Sequence, residues 1–322
     1  MSLLFRVRSG LLQARSRIEP GVRRALFGDR PTWQRRPNVL PWFDRPDAMA
    51  QAERGPHADL LTKWVRDGYV VVDDVVDRAD VDAMIGTLDG LWDAPTPVPH
   101  LELLSLREER GAPFRTVPHA EVLTWDAARR ERVRQASDWR IHGFHYVNDA
   151  ARRIFRSATL RRTASLLFGR RARPIAAINF MTGSQQDLHQ DMAVFHIWPQ
   201  NWLMGAWIAC EDIAPHAGPL VFHPGSHRAP FFPGFTEYPQ SNLRTVDEAT
   251  AHAYQRWVDE YGAQYPRHEF LGRKGQVLFW HGMLIHGGAA IGRPGTTRKS
   301  MVIHYSVRGA DRGREVRGPF RW

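Results

Sequence analysis

From Pro174 onward the sequence breaks into short apolar runs too brief for helices and too regular for loops. They fall at 175–181, 188–197, 203–210, 219–222, 276–280, 284–286 and 300–307, separated by stretches that hold glycine, proline or small polar residues. Runs of this length, rich in β-branched and aromatic side chains and punctuated by turn formers, are strand signals. A series of such strands following a helical stretch predicts a β-rich α+β domain, a β-sandwich or jelly roll braced by N-terminal helices. Residues 228–268 interrupt the series and carry a helical pattern near 247–261. An insertion that long is expected to serve function, as a lid over a site.

The helices come earlier. The pattern predicts a short helix at 58–66, a strand in Gly68-Tyr69-Val70-Val71-Val72-Asp73, and a helix capped by Asp77 and running to Leu91. Residues 95–118 read as loop. Arginine-rich helices are expected near 121–136 and 149–168, the second striped by Leu160, Ala164 and Leu167 and stopped at Gly169. Prolines 31, 37, 41, 46 and 56, with Trp33, Trp42 and Phe43, suggest an extended segment pinned to the domain by its aromatics. The expected organisation is a basic arm over 1–56, a jelly-roll domain over 57–307 and a basic tail over 308–322.

Charge sharpens that division. The chain carries a net +10, and nine arginines before residue 37, against only Glu19 and Asp29, supply +7 of it. The domain itself is therefore close to neutral. The arm reads as a solvated segment, as a membrane-surface helix with Leu4, Val7, Leu11 and Ile18 at near-helical spacing, or as a transit peptide. Nucleic-acid binding is not expected, because no aromatic-interleaved basic stripe or known module is present. A single cysteine, Cys210, excludes an intrachain disulfide and fits a cytoplasmic setting. Its apolar run, 203–210, predicts a buried, inert thiol.

Chemistry concentrates in the histidines, ten of whose 15 lie between His189 and His304. In His189-Gln190-Asp191 the two ligand-type side chains are at i and i+2, so on a strand they share one face. A third imidazole from another strand would complete two nitrogens and one carboxylate with open positions, the set that suits non-haem Fe(II). His286 and His281 are both candidates. On one strand, five residues apart, they would lie on opposite faces, and Gly287-Gly288 after His286 favours it.

The order of the flanking motifs carries more. Gly205-Ala206-Trp207-Ile208-Ala209-Cys210-Glu211-Asp212 is followed by Gly218-Pro219-Leu220 and His223-Pro224-Gly225-Ser226-His227-Arg228. Lys274-Gly275-Gln276-Val277-Leu278-Phe279-Trp280 then leads to Leu284-Ile285-His286-Gly287-Gly288 and Arg298-Lys299-Ser300. As an ordered set this resembles the phytanoyl-CoA dioxygenase family of 2-oxoglutarate-dependent oxygenases, over 175–307 and more weakly at the 68–76 strand. The resemblance implies a double-stranded β-helix, the cupin-like jelly roll. It implies His189, Asp191 and His286 as ligands to Fe(II), with 2-oxoglutarate as cosubstrate and O2 as oxidant. Arg298, on the following strand, would grip the far carboxylate, with Arg293 as the alternative because the 12-residue gap after His286 is one longer than expected. Trp207, 18 residues after His189, matches a tryptophan beside the cosubstrate, and Asn179 and Ser300 are candidate polar contacts to it.

The implied reaction hydroxylates an aliphatic carbon of a small or medium organic molecule, releasing succinate and CO2. Asp191 occupies the position a halogenating enzyme would leave to chloride, which favours hydroxylation. His196, His223, His227 and His304 read as structural or supporting histidines, and Pro224–His227 as a turn closing the sheet. Trp198, Trp202, Trp257 and Trp280 read as core before they read as substrate pocket. Two rival functions stay open: a hydrolase or isomerase using another divalent metal in the same ligands, and a non-catalytic scaffold whose arm binds a membrane or polyanion. The motifs name no substrate, and oligomeric state is not legible.

Overall fold

A computed structural model describes residues 37–195, 197–236, 238–239 and 241–312. The basic arm over 1–36, His196 and the tail beyond 312 lie outside the described residues. The described residues from Val39 onward form one compact unit.

The helical half begins with α1 (Ala48–Glu53) and α2 (Ala58–Asp67), followed by β1 (Tyr69–Val72) and α3 (Arg78–Asp89). A hairpin, β2 (Glu102–Leu106) with β3 (Arg115–Pro118), precedes α4 (His119–Val122), α5 (Ala127–Ala136) and β4 (Arg140–His142). Then come α6 (Asp149–Phe155) and α7 (Ala158–Phe168). The β half holds β5 (Ala172–Phe180), β6 (Ile197–Trp198), β7 (Met204–Ala209) and β8 (Leu220–Phe222). Helix α8 (Glu248–Gly262) precedes β9 (His268–Phe270), β10 (Val277–His281), β11 (His286–Gly288), β12 (Ser300–Val307) and β13 (Asp311–Arg312).

Local chemistry explains most boundaries. Asp77 caps α3 by accepting from the Ala79 amide, and Asp126 does the same for α5 from Arg129. Ser157 caps α7, so the expected helix over 149–168 is two helices with a break at the cap. Gly68 ends α2 in the left-handed region at φ 74°, a conformation that favours glycine. The segment from Trp42 is not extended throughout: Trp42–Asp44 form a 3-10 turn and α1 follows. Trp42 and Phe43 are buried there, and the Trp42 Nε1 donates to the Leu167 carbonyl at 2.9 Å.

The strands form an antiparallel eight-stranded sheet in the order β1-β10-β7-β12-β5-β4-β2-β3, and a second sheet, β11-β8-β9. Strand alternation divides the side chains between two cores. Met204, Ala206 and Ile208 of β7 pack with Leu61, Trp64, Met84, Leu88 and Leu167 of the helices. Trp207 and Ala209 instead meet Leu220 and Phe222 of the second sheet, together with Phe180, Leu278, Trp280 and Val302. This second core is the interior of a jelly-roll sandwich. The insertion builds a third cluster, in which Tyr254 and Val258 of α8 bury against Phe232, Phe235, Ala193 and Ile285.

The expected strand over 188–197 is absent. His189 makes a single bridge to His286, and the chain then turns through a 3-10 segment, Asp191–Ala193. Successive side chains leave in different directions: Met192 joins the helix-side core and Ala193 the insertion cluster.

No helix among the described residues is long and apolar enough to cross a membrane. Burial pushes the Cys210 thiol up to about 12. The folded protein should therefore resist thiol reagents at pH 8 and react once per chain after unfolding, followed by absorbance. Trp42→Ala should cost about 3 kcal/mol in urea denaturation, since it empties a buried site between the first turn and α7.

Candidate metal centre

The bridge between His189 and His286 brings two imidazoles side by side, tilted 49° to one another. The backbone bonds run both ways, His189 N to His286 O at 2.8 Å and His286 N to His189 O at 3.0 Å, and the ring centroids lie 4.4 Å apart. Each ring is oriented by its own chain: the Nδ1 of His189 donates to the Asp187 carbonyl at 2.8 Å and that of His286 to the Leu284 carbonyl at 2.9 Å. A carbonyl can only accept, so Nδ1 holds the proton and Nε2 presents a lone pair. The turn after Gln190 then carries Asp191 to the same place. One donor atom from each of His189, Asp191 and His286 lies within 4.8 Å of the others, and Asp191 and His286 are buried.

The surroundings keep this set in its ligating form. Burial, followed by the neighbouring His189, lowers His286 to about 4, so its imidazole is neutral at pH 7. Burial alone would raise the Asp191 carboxyl. The imidazoles of His304, His286 and His189 hold it well below the usual carboxylate range instead. The Trp280 Nε1 donates to Asp191 Oδ2 at 2.8 Å, and His304 Nε2 lies 3.2 Å from the same oxygen. Behind the motif, the Gln190 amide donates to the Tyr254 hydroxyl at 2.8 Å, and the Gln190 side chain donates to the Met283 carbonyl. The insertion thus braces the turn that delivers Asp191. The Ser226 hydroxyl accepts from the Ile285 amide, tying the Pro224–His227 turn to the residue before His286.

Arg298 lies two residues before β12, not on it, and is 1% exposed. Its guanidinium carbon sits 5.6 Å from the ring centroids of both Phe180 and Trp207. No carboxylate among the described residues is within ion-pair distance of it, and its Nε has no hydrogen-bond partner. Burial lowers it to about 10, so it is still a cation at neutral pH. Ser300, Val302 and His304 share one face of β12; Val302 is in the sandwich interior and His304 meets Asp191, while the Ser300 hydroxyl is buried without a partner. A buried unpaired cation with an unpaired hydroxyl nearby is what an anionic guest would satisfy.

Not every expected residue is brought together. Arg293 stands on an exposed turn, with its amide bonded to the His216 carbonyl. Asn179 faces the helix side of β5, where its amide meets Met84 Sδ at 3.3 Å, so it points away from the interior. His281 ends β10 facing Phe43, and its Nε2 lies 3.3 Å from Asp44. His286 begins a strand of the other sheet, so the two histidines are separated by a change of sheet, not by strand parity. His223 and His227 bond the Tyr265 and Val65 carbonyls. Trp202 packs in the helix-side core and Trp257 in the insertion cluster. His304 is the supporting histidine the sequence suggested, against Asp191, whereas sequence reasoning missed the roles of Trp280 and Tyr254, and also Arg140. The latter pairs with Phe180 across the β4–β5 ladder and brings a second guanidinium 5.8 Å from its ring. Strand parity with Ser300 could have singled out His304 among the supporting histidines.

The family model for phytanoyl-CoA dioxygenase matches residues 64–298. Peroxisomal phytanoyl-CoA dioxygenase of Rattus norvegicus is 33% identical over 122 residues, covering 38% of this chain and 33% of that protein. A probable phytanoyl-CoA dioxygenase of Caenorhabditis elegans is 31% identical over 123 residues, covering 38% of this chain and 36% of that protein. The aligned part thus spans about a third of these relatives. Among solved structures, the α-ketoglutarate-dependent carbocyclase SnoK from nogalamycin biosynthesis aligns with TM-score 0.58 and 16% identity, covering 81% of this chain and 88% of that one. The epimerase SnoN of the same biosynthesis gives 0.53 and 19%, covering 82% and 85%. EctD from S. alaskensis, solved with 2-oxoglutarate and 5-hydroxyectoine, gives 0.54 and 18%, covering 84% and 82%. These likenesses establish the cupin-like jelly-roll fold. Iron and 2-oxoglutarate fit the residues on display, two imidazoles and a carboxylate for the ion and a buried unpaired guanidinium for the keto acid. The chain belongs to the phytanoyl-CoA dioxygenase family.

Proposed function

We propose that this protein is an Fe(II)- and 2-oxoglutarate-dependent dioxygenase that hydroxylates an aliphatic carbon of a small or medium organic molecule. The observation that carries the reading is one interior holding both a three-donor cluster and a buried guanidinium with no counter-ion among the described residues. Neither feature stabilises the fold by itself, and each suits one half of a metal–keto acid pair.

His189, Asp191 and His286 would hold the ion. When bound, iron with 2-oxoglutarate and O2 supplies oxidative decarboxylation of the keto acid to succinate and CO2, coupled to oxidation of a substrate C–H bond. The chain's own residues supply position. Arg298 binds the far carboxylate through its planar fork, with Ser300 as a neighbouring donor. Trp207 and Phe180 wall that cation, and the interior apolar side chains keep bulk water from the reacting centre. Regions 95–148 and 228–268 are proposed to contact the substrate. Peripheral membrane contact through 1–36 and cytoplasmic residence belong to the same proposal.

A second outcome shares the site. SnoN and SnoK are described as an epimerase and a carbocyclase on this fold, so substrate oxidation need not end in hydroxylation. Mass spectrometry separates the cases: hydroxylation adds one oxygen atom, whereas epimerisation or ring closure does not.

The test is succinate release across a substrate panel. Asp191→Ala should abolish both release and iron retention, and EDTA should do the same to the unaltered enzyme, reversibly on adding Fe(II). Arg298→Gln should keep iron but raise the 2-oxoglutarate requirement by roughly one to two orders of magnitude, the worth of a buried charge-assisted pair. An Arg298→Gln enzyme with unchanged 2-oxoglutarate dependence would falsify this assignment.

A further inference from the structure

A single rung crosses three neighbouring strands beneath the metal-binding cluster. Trp280 on β10 pairs with Gly205 on β7, and Gly205 pairs with His304 on β12. All three positions face the sandwich interior. The middle one is glycine for a steric reason: a Cβ at 205 would stand 2.2 Å from the Trp280 ring. Its absence lets the indole lie across β7. From either side of that gap, Trp280 Nε1 and His304 Nε2 reach the same oxygen, Asp191 Oδ2, at 2.8 and 3.2 Å. An ionised carboxylate only accepts, so His304 holds its proton on Nε2 and donates. Phe195 packs on the His304 ring with centroids 4.4 Å apart, which fixes its plane. The other oxygen, Oδ1, is turned toward His286 Nε2 at 3.8 Å, beyond hydrogen-bond range.

We propose that Trp280 and His304 are positioning residues that occupy Oδ2 jointly, so that Asp191 presents Oδ1 alone to the ion, and that Gly205 exists to let them do so. This rests on the metal-binding reading above. A carboxylate held by one oxygen takes up one coordination position instead of two, which leaves room for a bidentate keto acid and for dioxygen. Partners that orient ligands in this way are expected to affect metal affinity by about tenfold or more when removed.

The experiment titrates the full-length protein with Co(II) and records affinity and the visible d–d spectrum for the unaltered chain, Trp280→Phe, His304→Phe and Gly205→Ala. Near-UV circular dichroism of each metal-free variant monitors packing. Both donor-deleting variants should bind Co(II) about tenfold more weakly, with a weaker d–d band as Oδ2 joins the coordination and the coordination number rises. Gly205→Ala should shift the band in the same direction while both donors are still present. A merely structural role would lower the melting temperature of the metal-free protein and leave the Co(II) band unchanged. Folded variants with the unaltered affinity and band overturn the inference. Should Trp280→Phe or Gly205→Ala not fold, His304→Phe decides, since it keeps a ring against Phe195. A crystal of the unaltered protein with Mn(II) decides without any variant: Asp191 bound through both oxygens contradicts the proposal. Failure of the unaltered protein to bind Co(II) sinks the metal-binding reading itself, a result distinct from the others.

Discussion

A carboxylate buried in a sandwich of aromatic and aliphatic side chains is the feature around which this molecule is arranged. Asp191 is 4% exposed, and an unpaired charge in such a place would cost several kcal/mol. The structure offsets this with four partners. The Trp280 indole and the His304 imidazole donate to one oxygen, His286 stands beside the other, and His189 completes the cluster. These partners come from β10, β12, β11 and the segment that bridges to it, spanning over a hundred residues of chain. Only a closed antiparallel fold with interleaved strands brings them to one point.

The division of side chains between two faces of the large sheet does the rest. Odd and even positions of β7 and β12 part between a helix-covered core and the sandwich interior, and the same alternation decides chemistry. Ser300, Val302 and His304 look inward; Met301, Ile303 and Tyr305 pack under the helices. Arg298 enters the interior just ahead of β12 and finds apolar and aromatic neighbours without a carboxylate. The helices and the insertion are braces in this scheme. Tyr254 of α8 holds the Gln190 amide, so a helix some sixty residues downstream steadies the turn that aims Asp191.

How much of this the sequence disclosed depends on whether a feature is local. The cap at Asp77, the stop at Gly169, the strand over 300–307 and the helix near 247–261 rest on short-range chemistry and match the structure. His189, Asp191 and His286 were legible as an ordered motif, yet for a partly mistaken reason. They converge through one bridge and a 3-10 turn, not along a shared strand face, because hydrophobic alternation cannot register a turn whose apolar side chains all find cores. The hairpin of β2 and β3 was hidden for a similar reason. Its register shifts between Leu103 and Leu106, and Ser105 sits at φ 61°, so no clean period of two survives. Asn179 carries suitable chemistry on the wrong side of β5, and Trp280 and His304 acquire their importance only from a rung that spans three strands. Parity and register are properties of the sheet, and no single segment contains them.

The most direct test of the central claim is an anaerobic titration of the purified protein with Fe(II) and then 2-oxoglutarate, followed by visible absorption. Three ligands with open positions beside a buried guanidinium predict a weak charge-transfer band that appears only when both are present and saturates at one keto acid per iron. Iron uptake with no band at any 2-oxoglutarate concentration would contradict that arrangement and favour a redox-inert role for the metal.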